Sequence, residues 1–590
     1  MKKIILLGLN IMICLFMISC DDLIDNPPLD KIGNDDFWKT DKDLEKYMLS
    51  FYTVFPTFTN NNGGTYLGPL GADAINGSDD QLRANPNTVI NGASSVVTSG
   101  GNWNWGNIRS VLFFFDNYDK CTASFDSYKH FIGEAYFFKA YLYFDKVCAY
   151  GDVPWFTKTL EMDSPELYIA RTPRTEVVDS ILNCLDKAVE YLAPLSSSKY
   201  GTTQRLSKEA ALIFKSRVGL YEGSWQKYHA GTEFATEGAK PEKYFRAAVD
   251  AAEELMKPGK YNVGIYSTGN PEVDYSNTFN QTDFFPLKEV VLWAGYSRGL
   301  NLTHHASSYL TIGTNDIHVT WELVSSYLAK DGTVYDYMAK SKQYKGNDFL
   351  SNIAENSDPR LKQTIWTPGD LMWNNAGSGI KYFEKPYLTQ GGEFKNITGF
   401  QLRKGINPLS EAAGASFTGT PDELGCIVFR YAEALLNYAE AKYELGESVD
   451  YDKSINLLRA RAGMPNFSVP ANLSAVQKID YGYPISDELY EIRRERRVEL
   501  ACEGFRNDDY RRWRAHALFK GKRLHGYPFK AEEWSESVGI NVDENGLLDP
   551  HVAKVPKGYG FNEKRDYLQC IPTNEITLNP ALKQNPGWTN

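Results

Sequence analysis

The chain has 590 residues, a formal net charge of −11 and an aromatic content of 14%. This length is ample for a large hydrophobic core and exceeds that of one average domain. The acidic balance argues against nucleic acid or an anionic membrane surface as a partner, because both attract clustered lysine and arginine. The 37 tyrosines and 12 tryptophans exceed what the core needs and leave material for exposed stacking surfaces.

The N-terminus has the pattern of an export signal. Lys2 and Lys3 are followed by an apolar stretch over residues 4–18 and, after one small residue, by Cys20. An apolar run this short and this close to the start is typical of a cleaved signal and not of a membrane-spanning helix. The cysteine favours a lipoprotein signal over residues 1–19 with Cys20 as the lipidated first residue. A plain signal peptide with an incidental cysteine is the alternative.

Residues 20–36 have a different composition from the rest of the chain. They are acidic, contain two prolines in succession and show neither helical nor strand periodicity. Such a segment is expected to be a tether between the membrane and a folded body.

The six cysteines after Cys20 lie far apart, without a C-x-x-C pair or metal-type spacing. Three of them, Cys148, Cys184 and Cys502, fall in helical patterns, where a buried free thiol is the expected state. The sequence therefore predicts no disulfide framework, no metal site and no cofactor.

Helical patterns dominate residues 37–257, which we expect to form an N-terminal helical region. Thr172 is a candidate N-cap with Pro173 at the first helical position, and Ser207 is a candidate N-cap for the next helix. The successive pairs resemble a tetratricopeptide-like stack without a strict repeat. The predicted helices lie at about residues 41–55, 131–149, 172–193, 207–225 and 244–256.

Residues 258–590 are expected to form a second region of the same compact body. Between about 258 and 425, glycine, asparagine, threonine and proline are frequent and helical stripes are scarce. Long loops inside a compact protein are usually functional. Helices are predicted again at 428–445, 451–462 and 487–503, within a stretch that runs to 513. The fold class is therefore mainly α, with helix pairs packed against an irregular, loop-rich part.

The last predicted helix carries the charged run RRERRVE at residues 493–499. Exposed to solvent, such charges contribute little each. Buried, they would form a network that fixes this helix against its neighbours. Phosphate binding by the arginines is the functional alternative, but the alternating signs nearly neutralise the patch. We expect a structural role.

Six segments, taken in order, resemble the SusD/RagB family of outer-membrane nutrient-binding lipoproteins. One departure is NDDY at 507–510, where family members usually carry an aromatic pair before the aspartate. The six segments are YLYFDKVCAYGDVPWF at 141–156, RLSKEAALIFKSRVGLYEGSW at 205–225, FRYAEALLNYAEAKYELG at 429–446, INLLRARAGMP at 455–465, RRERRVELACEGFRNDDYRRW at 493–513 and IPTNEITLNPALKQNPGW at 571–588.

The resemblance implies a non-catalytic protein on the outer face of the outer membrane, anchored through lipid on Cys20. Such proteins cap a SusC-like TonB-dependent transporter and hand it a bound ligand, typically an oligosaccharide. The Asp21–Asp22 pair resembles the acidic signal that sends such lipoproteins to the cell surface.

A sugar site needs aromatic faces for pyranose rings and planar polar side chains for hydroxyl groups. Two regions have this mixture, residues 71–109 and 293–321. Trp105 and Trp293 are expected in the core, and Trp366 and Trp373 are further candidates. The predicted ligand-contacting residues are Asp73, Asn102, Trp103, Tyr296, Arg298 and Trp321.

Motifs of known enzymes are absent from the sequence: it has no serine-hydrolase elbow, P-loop, H-E-x-x-H or dinucleotide fingerprint. The adjacent His304 and His305 favour a surface or loop pair over a metal site. Three alternatives remain open: a peptide or glycoprotein ligand, a surface glycosidase whose carboxyl pair sequence cannot locate, and a scaffold that binds only protein.

Overall fold

The computed structural model describes residues 37–61, 64–534 and 540–589 of the chain. The predicted signal peptide, Cys20 and the acidic tether lie outside the described residues. Within the described ranges no helix is both long enough and apolar enough to cross a bilayer.

Helices form most of the regular structure, so the prediction of a mainly helical fold is confirmed. The first part of the chain contains α1 (Asp41–Leu49), α2 (Pro69–Asn76), α3 (Gly106–Phe115), α4 (Phe125–Tyr150), α5 (Arg174–Tyr191), α6 (Lys208–Tyr228) and α7 (Pro241–Leu255). The middle contains only short helices, α8 (Asp274–Asn277), α9 (Ala306–Ile312), α10 (Trp321–Val324), α11 (Tyr337–Gln343), α12 (Gly346–Asn356) and α13 (Arg360–Thr364). The last part contains α14 (Tyr431–Glu444), α15 (Ile455–Arg461), α16 (Asp487–Glu499), α17 (Arg506–Arg512) and α18 (Thr573–Leu578).

The strands of the described residues are short and pair in four separate antiparallel sheets of two strands each. The pair β4–β8 ties the middle of the chain to the start of α14, since Trp293 stands opposite Ile427. The four pairs are β1 (Phe58–Asn61) with β2 (Gly64–Leu67), β3 (Gln81–Leu82) with β5 (His318–Val319), β4 (Val290–Ala294) with β8 (Cys426–Arg430), and β6 (Leu371–Asn375) with β7 (Gly379–Tyr382).

The helical stack is built around α6, which packs against α5, α7 and α14. Two glycines one turn apart on α6 allow α7 to approach closely. A Cβ at Gly219 would lie 2.6 Å from the carbonyl oxygen of Tyr244, and one at Gly223 would lie 2.7 Å from the ring of Phe245. Because protein interiors are close-packed, neither contact could be accommodated without moving a helix or a ring.

Local signals located most helices well. The predicted 131–149 helix lies inside α4, and Ser207 caps α6 by accepting a hydrogen bond from the Ala210 amide at 3.2 Å. The expected cap at Thr172 is wrong. The helix begins at Arg174, and the Thr172 hydroxyl accepts instead from the Trp155 amide at 3.2 Å.

The start of the predicted 428–445 helix is also wrong. Residues 428–430 belong to strand β8, and the helix begins at Tyr431. The strand exists because a partner strand, β4, lies beside it, and a local helical pattern cannot reveal that partner.

The buried apolar side chains form two large clusters. The helical core contains side chains of α4, α5, α6 and α14, and the loop-rich core contains side chains of the middle of the chain such as Trp366 and Phe400. Helix α16 lies between them. Its Ile492 belongs to the helical core and its Val498 to the loop-rich core.

Charged side chains of α16 are buried and connect distant parts of the chain. Arg497 binds Asp80 at 2.7 Å, and Glu499 accepts from Arg360 at 2.9 Å and from Arg430 at 2.7 Å. The charged run at 493–499 therefore forms the buried network that the sequence offered as one alternative, and it does not face solvent.

Candidate functional site

Two of the predicted sugar-stacking residues are core residues. Trp103 and Trp321 are each only 8% exposed. The Trp103 ring meets Tyr150 edge to face at 4.8 Å, and Trp321 stacks on Phe349 at 5.7 Å. The indole rings of Trp103 and Trp321 are both packed against other side chains of the protein. Burial therefore removes both residues from the candidate site.

Asp73 is a third predicted residue with a structural position. It is buried on α2, and its carboxyl oxygens accept hydrogen bonds from the amides of Gly504 at 3.2 Å and Arg506 at 3.0 Å. Burial, and the carboxylate of Asp80, raise the pKa of Asp73 well above its ordinary value. Asp73 holds α2 against the start of α17 and has no free acceptor aimed at solvent.

The other three predicted residues remain partly or fully accessible. Asn102 is exposed next to Trp103, and Arg298 is exposed and pairs with Glu411 at 2.8 Å. Tyr296 is half-buried, and its hydroxyl donates to the carbonyl oxygen of Phe58 at 2.8 Å. Asn102 adjoins the helical core, whereas Tyr296 packs on the loop-rich core, so the six predicted residues do not form one site.

Other sequence predictions near these loops are settled by burial. Trp293 lies in the core as expected, and Trp366 is fully buried while Trp373 is partly exposed. Of the predicted surface or loop histidine pair, His304 lies in a loop, in an isolated bridge with Asp422, but is fully buried and not on the surface. Its Nε2 lies 2.8 Å from the carbonyl oxygen of Leu424.

An open cavity of about 230 Å³ lies between the two cores, and we call it the seam cavity. Its walls come from α4 and α6 on the helical side, from α2 and Phe58 on the other, and from β8 and the start of α17. Phe58 is also the residue against which Tyr296 stacks, at 6.2 Å. The helix bearing Asp73 and the loop bearing Tyr296 therefore both adjoin this cavity, although neither side chain lines it.

Four aromatic residues line the seam cavity: the half-buried Tyr141 and Phe505, and the buried Phe58 and Phe279. Arg217 fixes the position of Phe505, because its guanidinium lies 4.9 Å from the centre of that ring. Arg217 is fixed in turn by a two-point ion pair with Glu433, at 2.6 and 2.7 Å.

The charged residues that line the seam cavity differ in whether they have a partner of opposite charge. Arg217 and Glu433 pair with each other, and Arg430 pairs with Glu503 at 2.7 Å. Among the described residues, Asp508 is the one charged group of this lining that has neither a hydrogen bond nor an ion pair. Burial raises the pKa of Asp508 to about 6, although Arg511 and Arg217 act to lower it.

Asp508 was absent from the residues predicted from sequence. The signal that could have found it is NDDY at 507–510, the one place where the motif departs from its expected aromatic pattern. Sequence alone does not show that a cavity lies beside it, because the walls come from residues as far apart as Pro56 and Asp508.

The free thiols of the described part are all buried: Cys121, Cys148, Cys184, Cys426, Cys502 and Cys570. Burial raises the pKa of Cys426, which lines the seam cavity, to about 12. A thiol with so high a pKa is a poor nucleophile at neutral pH. The cavity therefore presents aromatic faces, one unpaired carboxyl group and no reactive thiolate.

A helical stack joined to a loop-rich part is a fold that this chain shares with SusD-like proteins. The family model described as the SusD family matches residues 289–588, and one described as "Starch-binding associating with outer membrane" matches residues 100–220. The chain belongs to the SusD family. The family predicted from the six sequence segments is thereby confirmed.

The similar proteins cover almost the whole chain at low identity. The SusD-like protein P2 of Formosa agariphila is 23% identical in an alignment 591 positions long that covers 98% of each chain. A solved SusD-like protein of Bacteroides fragilis superposes with a TM-score of 0.69 at 22% identity, over 95% of this chain and 100% of its own. A SusD-like carbohydrate-binding protein of Bacteroides fragilis has the same TM-score and identity, over 93% of this chain and 100% of its own. At this identity the solved structures establish the fold.

Proposed function

We propose that this protein is a surface lipoprotein that binds a glycan and passes it, uncleaved, to a SusC-like TonB-dependent transporter in the outer membrane. The observation that carries the proposal is the seam cavity, which combines aromatic faces with an unpaired carboxyl group in a member of the SusD family. Aromatic faces suit the apolar faces of sugar rings, and a carboxylate suits their hydroxyl groups. The description of one similar structure as carbohydrate-binding supports this choice of ligand.

The proposed site centres on the seam cavity and extends toward Tyr296 on the far side of Phe58. Arg298 lies beyond Tyr296 on the same loop and is a candidate for contact with a longer ligand. Asn102 lies beside the helical core and stays a separate prediction. Trp103, Trp321 and Asp73 have no role in this proposal.

A binding role is favoured over hydrolysis by the carboxyl groups of the cavity. Glycoside hydrolysis ordinarily needs two carboxyl groups free to act on the substrate. Glu433 and Glu503 are held in ion pairs with arginine, and only Asp508 is unpaired. If a glycan that binds is incubated for days with the protein, we expect no new reducing ends. Their appearance would favour the glycosidase alternative.

The binding test uses the chain from residue 37 onward against plant, microbial and host glycans. We expect at least one glycan to bind with a Kd between about 1 mM and 1 µM, measured by calorimetry. Binding of peptides but of no glycan would favour the peptide or glycoprotein ligand. Binding of neither would contradict the cavity as a complete site.

The anchoring and the partner are tested in the producing bacterium. We expect the wild-type protein to be accessible to added protease on intact cells and to co-purify with a TonB-dependent transporter. Cys20→Ser should abolish lipidation and release the protein from the outer-membrane fraction. Retention of the Cys20→Ser protein in that fraction would contradict a lipid anchor at this residue.

A further inference from the structure

We infer that the seam cavity takes one sugar unit, held through neighbouring hydroxyl groups by Asp508, so that the protein recognises a chain end or a free monosaccharide. This inference rests on the proposed function and adds the form of ligand that the site accepts. A site for the interior of a polymer would instead be a groove or a surface open at both ends.

Size is the first argument. The cavity holds about 230 Å³, less than the about 300–1,000 Å³ of pockets that enclose drug-sized ligands. Its walls come from several sides, since Tyr141 on α4, Phe58 at the start of β1 and Asp508 on α17 all line it. A space of this size, bounded on these sides, accommodates a single ring and not a run of sugar units.

The rigidity of the walls is the second argument. Phe505 is held under the guanidinium of Arg217, which is itself fixed by Glu433. Phe58 is buried and stacks against Tyr296, so that ring is also backed by protein. Fixed aromatic faces bind a ring with little loss of side-chain freedom, which is the condition for useful affinity from a small contact.

The unpaired carboxyl group is the third argument. Two oxygens of a carboxylate can accept from two neighbouring hydroxyl groups, and such charge-assisted hydrogen bonds are about twice as strong as neutral ones. Asp508 is partly exposed, so a ligand in the cavity can reach its carboxyl group. Asp508 has no partner within the described protein, and a hydroxyl pair of a ligand would supply the two missing donors.

The charges around Asp508 favour a neutral ligand over a cation. Arg217 on α6 and Arg511 on α17 lie close enough to lower its pKa, whereas Asp509 and Asp145 act in the opposite direction. Asp509 is itself neutralised by Arg496 at 2.9 Å. The two arginines offset the charge of Asp508, so a hydroxyl donor fits this site better than an ammonium group.

The test measures binding of single sugars to the chain from residue 37 onward, by saturation-transfer NMR and calorimetry. The probes are glucose, galactose, mannose and glucosamine. We expect at least one neutral hexose to bind, and we expect it to displace any glycan that binds in the screen of plant, microbial and host glycans. Asp508→Asn should weaken the binding of that hexose at least about tenfold, because the charged acceptor is lost.

Two further variants separate binding from folding. Asn76 stands exposed at the rim of the cavity, and Asn76→Trp should block entry without disturbing the core. Asp250→Asn removes a carboxylate on α7 that is exposed and does not line the cavity, and its hexose binding should match that of the wild type. Circular dichroism of each variant checks that it is folded.

The inference can fail while the proposed function stands. If polymeric glycans bind, no hexose competes, and neither Asp508→Asn nor Asn76→Trp weakens them, chain-end recognition is overturned and the glycan site lies elsewhere on the surface. Binding of glucosamine alone would overturn the assignment of a neutral hydroxyl donor. Absence of all sugar binding would contradict both this inference and the proposed function.

Discussion

The ionised carboxyl group of Asp508 should destabilise the folded protein at neutral pH. Burial raises its pKa to about 6 in the folded state, above the value of about 4 expected when unfolded. A carboxyl group with a raised folded pKa binds protons more tightly when folded. The folded state is therefore favoured most below about pH 4, and this contribution is lost as the pH rises to about 6.

We therefore expect Asp508→Asn to raise the free energy of unfolding by about 1–2 kcal/mol at about pH 7.5, after allowance for the partial exposure of the group. The gain should shrink toward zero near pH 4. Urea unfolding at the two pH values measures the gain in stability and its loss in acid, with Asp250→Asn as the control. A variant that is less stable than the wild type at pH 7.5 would show that Asp508 has a structural partner. A gain in stability combined with a loss of hexose binding is the signature of a residue kept for its ligand.

Trp321 should behave as a core residue. It is stacked on Phe349 and belongs to the loop-rich core. Truncation of a buried tryptophan to alanine costs about 3–5 kcal/mol. We expect Trp321→Ala to lower the stability by this amount and to leave the glycan affinity of the folded protein unchanged. Tyr382→Ala, at a ring that is half exposed, should cost little. Loss of affinity without loss of stability for Trp321→Ala would return this residue to the candidate site.

The same two residues show what sequence could not supply at this scale. Trp103 and Trp321 stand among glycine, asparagine and threonine, a context that suits an exposed sugar platform equally well. Their burial depends on Tyr150 and Phe349, which are distant along the chain. An aromatic residue in a polar segment has its exposure decided by such partners, and local composition does not contain them.

Among the elements, α16 shows how strongly a buried charge depends on its neighbours. Glu499 is buried and accepts from Arg360 and Arg430. Removing one partner from a buried ion pair leaves uncompensated charge and costs about 3–5 kcal/mol. We expect Glu499→Gln to destabilise the protein by that amount in urea unfolding.

Asp487 on the same helix is the matched control. It is exposed and pairs with Lys478 at 2.6 Å. An exposed pair contributes about 0–1 kcal/mol, and Asp487→Asn should cost no more than that. Equal effects of the two substitutions would contradict the buried network as the source of stability.

Elements that rest on local signals could be predicted from sequence, and those that rest on distant partners could not. Ser207 caps α6 as expected, and Ser486 caps α16 in the same way, because a cap and the amides it satisfies lie within one turn. Residues 428–430 of strand β8 were predicted as helix because the pairing partner of that strand, β4, lies far earlier in the chain. Whether the charges of α16 face solvent or are buried could not be decided from sequence for the same reason. Their partners, Asp79 and Arg360, lie far away along the chain.

At the scale of the whole molecule, the buried charges of α16 join the two cores. Arg497 reaches Asp79 and Asp80 near the start of the described chain, and Glu495 reaches Arg360 in the middle. The seam cavity lies beside this junction, with walls from both sides. The family could be recognised from six local segments, but the cavity could not be located, because it exists only where distant segments meet. The division at residues 257 and 258 stays a prediction.

The buried network should also set the acid limit of the whole molecule. Burial alone would raise the pKa of Glu440, but Arg512 and Arg493 outweigh it and lower that pKa to about 2. Arg360 and Arg459 outweigh burial at Glu495 in the same way and lower its pKa to about 2. A carboxyl group with a lowered folded pKa contributes stability that is fully present above its unfolded pKa of about 4.3. That contribution is lost as the pH falls toward the folded value.

We therefore expect the Tm to fall steeply between about pH 4.5 and pH 2 and to change little between pH 5 and pH 7. Glu440 lies in the helical part and Glu495 contacts the loop-rich part through Arg360, so both cores should unfold together when these groups take up protons. Thermal unfolding followed by far-ultraviolet circular dichroism and by tryptophan fluorescence measures this, and the two signals should give one shared transition at each pH. A Tm that holds steady down to pH 2, or two transitions that separate on acidification, would mean that the network does not couple the two cores.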